Sequence, residues 1–600
     1  MIEGKNDFYV QCKESLLQKN RYTIVSISKK RYTSSKETTT LNITLLNFPK
    51  GTLFNRASKI LNNYTISIKN VLLAGLSGLM LTGSFAPINL DWIAWISLIP
   101  LLISLENKSL SDAFKIGLLA GLFHYLTLIY WIVTVLSRYG NISPILSLAA
   151  LLLLSLYLSL YMAFFALVVV TFKKNRLYSL WGASTWVALE YARSYIMTGL
   201  PWCLLGYSQY SRLPLIQISD IAGVYSISFI IVLVNFAIYN VASLTIKKKM
   251  SAYTIGYKSE VTSYDHNKLN RKWKMANGHT FQRVGIETIF TFFLVGCILV
   301  YGYSRLKEKG DNNSKGRELR AVVVQGNIDQ SLKWDSDFQE ETVSIYKKLS
   351  LESADFKPQL IIWPETALPY FFQDTSHLSK EVFEVAKITN ANILFGSPAY
   401  VKDKDSIFYY NRAYMISKNR VFDYYDKVHL VPFGEYVPLK KYIPFVHRLV
   451  PAAGDFSTGK KVKPIHSPGL KIGALICFET IFPDISRKFA AQGAELLVNL
   501  TNDAWFGRTS APYQHLSMAV LRCVENGLPM VRAANTGISA FILANGKIVD
   551  TSKLFVREIL QKKIKLTHKK TFYSQLGDIF AILLTVATII TFLWIVIKRR

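Results

Sequence analysis

Paired cysteines are missing from this chain of 600 residues. Its five cysteines, Cys12, Cys203, Cys297, Cys477 and Cys523, stand far apart, with no CxxC and no Cys/His spacing of a zinc site. A disulfide framework and a structural zinc are therefore excluded, no metal or other cofactor is expected, and one or more thiols are left free for chemistry. Acidic residues are also scarce, 40 against 70 Lys and Arg. The basic surplus is not gathered into a nucleic-acid groove. Residues 1–69 hold twelve Lys and Arg against four acids, 246–286 hold nine against two, and Lys598-Arg599-Arg600 close the chain. All three stretches flank hydrophobic sequence, as the positive-inside rule requires, so no nucleic-acid partner is expected. The first 69 residues lack the short apolar core and small-residue cleavage site of a secretory signal. They are expected to form a polar cytoplasmic extension, with the first hydrophobic helix as an uncleaved signal anchor. Internal repeats are absent.

What the chain has in quantity is apolar sequence. Hydrophobic residues reach 50% while charged residues still make up 18%, the average of membrane-spanning helices and a polar domain together. Apolar segments lie at about 70–86, 88–105, 114–136, 144–172, 178–198, 216–245, 286–304 and 577–597. Each approaches or exceeds the roughly 17–25 residues that cross a bilayer, so about eight spans are expected. With the N-terminus inside, the inner loops hold Lys108 and Lys115, then Lys173, Lys174 and Arg176, then the basic stretch 246–286. The outer loops hold Arg138 and Arg212 alone. This alternation places 305–575 outside the cytoplasm, in the periplasm of a cell with two membranes. In the span 178–198, Glu190 and Arg193 share a helical face and are expected to form a structural ion pair.

Region 305–575 alternates short β-branched runs with helical patterns. Arg320–Gln325, Gln359–Trp363, Ile393–Gly396, Lys471–Ile476 and Glu495–Leu500 have strand character, and 338–352 and 512–526 read as helices. The expected organisation is a basic extension at 1–69, a multi-pass α-helical membrane domain at 70–304, an extramembranous α/β domain at 305–575, and a final transmembrane helix with a basic tail at 576–600.

Two strand ends and one further motif carry candidate chemistry. Cys477 follows a strand and opens a helix-like stretch, a setting that exposes a thiol to the positive end of the helix. Glu365 follows the strand Gln359–Trp363, where it can serve as a base or stabilise a helix start. Lys427, in YYDKVHLVPFGE, offers an ammonium to stabilise an oxyanion. His429 is a further candidate base, and spacing does not choose between it and Glu365.

Glu365, Lys427 and Cys477, in that order and context, resemble the Glu–Lys–Cys triad of the nitrilase superfamily. The stretches QGNIDQSLKW (325–334), WPETALP (363–369), YDKVHLVPFGEYVP (425–438), NDAWFG (502–507) and RAANTGISA (532–540) resemble the apolipoprotein N-acyltransferase family within it, as does GLPWCLLGYSQ (199–209) in the membrane part. The resemblance runs over about residues 70–597. It implies a nitrilase-like αββα sandwich at 305–575, in the inner membrane and facing the periplasm. It also implies a membrane phospholipid as acyl donor and the amine of a diacylglyceryl-cysteine lipoprotein as acceptor. Cys477 would be the nucleophile, Glu365 the general base and Lys427 the oxyanion-stabilising cation. Glu435 and Glu479 would support the site, the Phe478 N–H would complete the oxyanion hole, and Trp334 would stand near the substrate entrance. Phe478 takes the place of the tyrosine the family often carries, which removes a hydroxyl but keeps the N–H. An anchored amidase would share the triad and use water as acceptor, but needs fewer spans; a transporter would need paired interrupted helices.

Overall fold

The computed structural model describes residues 67–599 except 174, 263–265, 311–316, 331, 332, 334, 438–454 and 567–569. Nearly all of the N-terminal extension, with Cys12, and also Trp334 lie outside the described residues.

The membrane part is built from α1 (Ile68–Gly83), α2 (Leu110–Leu128), α3 (Pro144–Phe172), α4 (Tyr178–Tyr195), α5 (Val224–Thr262) and α6 (His266–Gly310). Ser109 caps α2 by accepting from Asp112 N at 3.1 Å, and Ser143 caps α3, whose first residue is proline. No hydrophobic effect drives two helices together in lipid, so small residues must permit contact. Gly117 and Gly121 do so on α2. A Cβ at Gly117 would stand 2.5 Å from Met162 O of α3, and one at Gly121 would stand 2.8 Å from Ser159 Cα.

Among the described residues four helices are long and apolar enough to cross a membrane: Pro144–Phe172, Val224–Ile246, Val284–Glu308 and Ile579–Lys598. Leu110–Leu128 with Trp131–Tyr139, bent by 48°, makes a fifth if taken as one span. The structure thus identifies four or five of the eight expected spans. The segments 70–86 and 88–105 become a 16-residue helix and the short apolar run Asp91–Ser104, separated by a turn that carries Pro87 and Asn89. In α4 the expected ion pair does not form. Glu190 Oε1 instead accepts from Trp186 Nε1 at 2.9 Å and Leu205 N at 2.7 Å, and Arg193 Nη1 donates to Tyr125 Oη at 2.7 Å.

The polar domain contains twelve strands among the described residues, in two six-stranded sheets. The first has the order β12 (Glu558–Lys565), β1 (Glu318–Gln325), β2 (Leu360–Ile362), β3 (Asn392–Asp403), β4 (Ser406–Ser417), β5 (Arg420–Asp426). The second has the order β11 (Ile548–Thr551), β10 (Ala540–Ile542), β9 (Met530–Ala534), β8 (Leu496–Thr501), β7 (Leu470–Ile476), β6 (Ile465–Ser467). Each has a parallel core, β1-β2-β3 and β9-β8-β7, flanked by antiparallel strands. The buried Val, Ile and Leu of these cores explain why they appear as near-continuous apolar runs. Helices α7 (Gln339–Glu352) and α8 (His377–Thr389) cover the first sheet through Tyr346, Val382 and Val385. Helices α9 (Pro483–Ala491) and α10 (Ala511–Asn526) cover the second, with Phe489 seated on Gly473. The sheets meet at Gln325, whose Oε1 accepts from Ser539 and Ser552 at 2.7 Å each. After β12 the chain enters the last apolar helix, α11 (Ile579–Arg599).

Candidate active site

The two sheets bring three chain segments to one place. β2 ends at Ile362, and Glu365 follows three residues later. Gly396 of β3 fastens this turn, donating from its N–H to Pro364 O at 3.1 Å and accepting from Leu368 N at 3.2 Å. Cys477 follows β7 directly, at φ +50°. A side-chain-bearing residue in the left-handed region costs about 1–2 kcal/mol, so this turn is held by its surroundings. Lys427 follows β5, and its N–H donates to Asn411 O of β4 at 2.9 Å.

Glu365 Oε1 accepts from Asn411 Nδ2 at 2.8 Å and from Lys427 Nζ at 3.4 Å. Its Oε2 accepts from Asn502 N at 3.0 Å. Lys427 Nζ also donates to Glu435, 3.0 Å from Oε1 and 2.9 Å from Oε2. One ammonium thus stands between two carboxylates. Burial works against the Lys427 charge, but Glu435 and Glu365 more than reverse that and hold its pKa well above the ordinary lysine range. Burial pushes the Cys477 thiol up, and Glu365 adds to this; Lys427 and the Thr501 hydroxyl only partly oppose them. At rest the thiol keeps its proton, and attack by sulfur requires a base to remove it. His429 is held neutral, pushed down to about 4 by burial and Lys427, and its ring lies 3.7 Å from that of Phe482. The carboxylate beside Lys427 and Cys477 is Glu365.

The accessory candidates fall into distinct places. Glu435 holds Lys427 and accepts from Val431 N at 2.8 Å. Glu479, fully buried, ties the Lys427 loop to the Cys477 turn: its Oε1 accepts from Val428 N, and its Oε2 from Ile476 N, at 2.8 Å each. Phe478 packs edge-on against Phe482 at 5.2 Å. Of the aromatics flanking the motifs, Phe372 lies in the core, and Tyr370 and Phe371 line a cavity of about 650 Å³ with Tyr409 and Phe456.

Other polar residues around the site carry no individual mark in the sequence. Asn411 Nδ2 bridges Glu365 and Glu435, the latter at 2.9 Å. Beneath the nucleophile candidate, His515 Nε2 lies 3.2 Å from Cys477 O, and Arg532 Nη2 lies 3.0 Å from Nδ1. Burial and Arg532 lower the His515 pKa, and Asp503, whose Oδ1 lies 3.1 Å from Nδ1, opposes them. Arg532 also donates to Asp503 Oδ2 at 2.7 Å and to Asn499 Oδ1. On the far side of His515, Trp202 and Phe506 form an aromatic cluster with Trp131. Both indole N–H groups donate to Gln514 Oε1 of α10, at 2.8 Å from Trp202 and 3.2 Å from Trp131. The motifs NDAWFG and RAANTGISA contain Asn502, Asp503 and Arg532, and that membership was their one signal in the sequence.

Known proteins resemble this chain over most of its length. Residues 77–237 match the apolipoprotein N-acyltransferase N-terminal domain model, and residues 320–569 match the carbon-nitrogen hydrolase model. An apolipoprotein N-acyltransferase from Geobacter metallireducens is 39% identical over 86% of this chain and 92% of its own length. One from Haemophilus influenzae is 32% identical over 87% of this chain and 95% of its own. Among solved structures, an amidase from Nesterenkonia sp. aligns at 18% identity with a TM-score of 0.32, covering 42% of this chain and 92% of that one.

Proposed function

The chain belongs to the apolipoprotein N-acyltransferase family, and from that premise we propose that it moves an acyl chain from a membrane phospholipid to the N-terminal amine of a diacylglyceryl-cysteine lipoprotein. The observation that carries the residue assignment is the convergence of Glu365, Lys427 and Cys477 from three strand ends, with Lys427 Nζ 3.4 Å from Glu365 Oε1.

In the first half-reaction Glu365 takes the thiol proton as Cys477 Sγ bonds to the ester carbonyl carbon. The oxyanion is met by the Lys427 ammonium and the Phe478 N–H. The ester C–O bond then breaks, and Glu365 returns the proton to the lysophospholipid hydroxyl. In the second, the acceptor amine attacks the thioester, C–N forms, C–S breaks, and a proton passes from nitrogen through Glu365 to sulfur. Two acyl transfers through one thioester give ping-pong kinetics. Glu435 keeps Lys427 in place, and Glu479 holds the nucleophile turn.

A lipid donor requires the site to face the bilayer. We place residues 70–304 as seven spans, 305–575 as the catalytic domain and 576–600 as the eighth span and tail, with the catalytic domain on the periplasmic side of the inner membrane. The short helix Ile68–Gly83, the run Asp91–Ser104 and Tyr178–Tyr195 complete that count. The inner-loop lysines and arginines support this orientation.

Incubation of the full-length protein with phospholipid vesicles is expected to leave one hydroxylamine-labile acyl adduct on Cys477, read by intact mass. Cys477→Ala should carry none. A wild-type protein without the adduct would overturn the mechanism. A diacylated lipopeptide should then discharge the adduct and gain a third chain; release of free fatty acid alone would mark a hydrolase.

A further inference from the structure

The motif QGNIDQSLKW holds a second buried lysine that the triad does not use. Lys333 is 1% exposed, and its Nζ donates to the backbone carbonyl of Glu365 at 3.2 Å. The turn before it is fastened to the strand ends that form the site. Lys333 N donates to Asp329 O at 3.1 Å, and Gln330 Oε1 accepts from Asn502 Nδ2 at 2.6 Å. Asn535 binds Ile328 through both its amide atoms, at 2.9 and 2.8 Å. Asn502 and Asn535 follow β8 and β9; β8 pairs with β7, the strand that leads into Cys477, and β9 pairs with β8.

The charge balance of the site calls for such a group. Lys427 alone faces the carboxylates of Glu365 and Glu435. A thiolate or a tetrahedral oxyanion adds a further negative charge in a buried place, where charge is poorly screened. Among the described residues no carboxylate comes within ion-pair distance of Lys333. The groups whose charge it feels are Glu365 and Cys477. Burial pushes its pKa down to about 8, which leaves it mainly an ammonium at neutral pH.

We propose that Lys333 is a second cation of this site, which positions and stabilises the negative charge developing at Cys477 where Lys427 is already engaged by two carboxylates. The inference rests on Cys477 being the nucleophile of the proposed function.

The test is the reactivity of Cys477 itself, which needs no lipid. Full-length protein in detergent is alkylated with neutral iodoacetamide and with anionic iodoacetate across pH 6–10, and the Cys477 peptide is followed by mass spectrometry. Below about pH 8, where Lys333 keeps its charge, Lys333→Met is expected to slow Cys477 alkylation about tenfold and to lower the iodoacetate-to-iodoacetamide rate ratio about tenfold. Lys333→Arg, which keeps the charge, should restore both. A purely structural lysine would lower the melting temperature of Lys333→Met and leave the alkylation rate and ratio unchanged, and that result would overturn the proposal. Should the Met variant not fold, Lys333→Gln is read the same way. Failure of the acyl-adduct experiment with a normal alkylation response to Lys333 would reject the acyltransfer reading and keep the second cation.

Discussion

Glu479 receives four hydrogen bonds and gives none. Tyr425 Oη, Val428 N and His429 N donate to Oε1 at 2.8, 2.8 and 3.2 Å, and Ile476 N donates to Oε2. Four donors suit a carboxylate, yet burial pushes its pKa from 4.5 up to about 7, against the pull of those N–H groups. Between those values the folded chain binds more protons than the unfolded one, so this group makes the fold less stable as pH rises through the window. The loss is complete above about pH 7 and amounts to about 3 kcal/mol. Glu479→Gln removes the titration and turns an NH₂ toward a donor. The variant should therefore be less stable than wild type at pH 5, by a deficit that shrinks toward pH 8. Thermal melts at the two values check this, and a constant deficit would refute it. The same variant should form the Cys477 adduct at least tenfold more slowly, because the turn loses its tie to the Lys427 loop.

At the scale of elements, the site is a matter of strand ends held in register. Gly396 is where β3 passes under the Glu365 turn. A Cβ there would stand 2.5 Å from Thr366 N and 2.8 Å from Glu365 Cα, both backbone atoms that cannot rotate away. Gly396→Ala should destabilise the protein by about 1–3 kcal/mol and shift the Glu365 carboxylate, lowering acyl-adduct formation more than it lowers the melting temperature would suggest. A variant that melts as wild type and acylates normally would show that the turn has slack. β1, β2, β3, β7 and β8 were legible as β-branched runs because both faces of a parallel core are buried. Glu365 and Cys477 were legible because they close such runs inside recognisable motifs, and Lys427 because it lies in the motif YDKVHLVPFGEYVP. Asn411 and His515 were not, since one sits within β4, the other within α10, and only tertiary packing aims them at the carboxylates and at Cys477 O. In the membrane part, apolar composition marked α3, α5, α6 and α11. The division of 70–86 from 88–105 at Pro87 was also legible, but composition did not show that neither piece is long enough by itself to count as a span, because that is a matter of continuous helix length and not of hydropathy.

At the scale of the molecule, α6 leads into the catalytic domain and α11 leaves it, so both flanks of that domain are apolar helices. The proposed orientation has a direct check: a cysteine at the exposed Lys553 should react with a membrane-impermeant maleimide in intact spheroplasts, and one at Lys258, in the basic stretch, only after lysis. The reverse pattern would invert the topology. The domain is also joined to the bundle through Gln514, which accepts from Trp131 and Trp202 while its own amide donates to Leu128 O at 3.1 Å. The rings gathered there stand behind His515, and His515 in turn caps the carbonyl of a buried Cys477. A thioester formed on that sulfur is shut off from bulk water, the most abundant competing acceptor in any cell compartment. On the proposed function, a loaded protein would hold its acyl group until an amine arrives, so that acceptor supply, not lipid, would set the pace of the cycle.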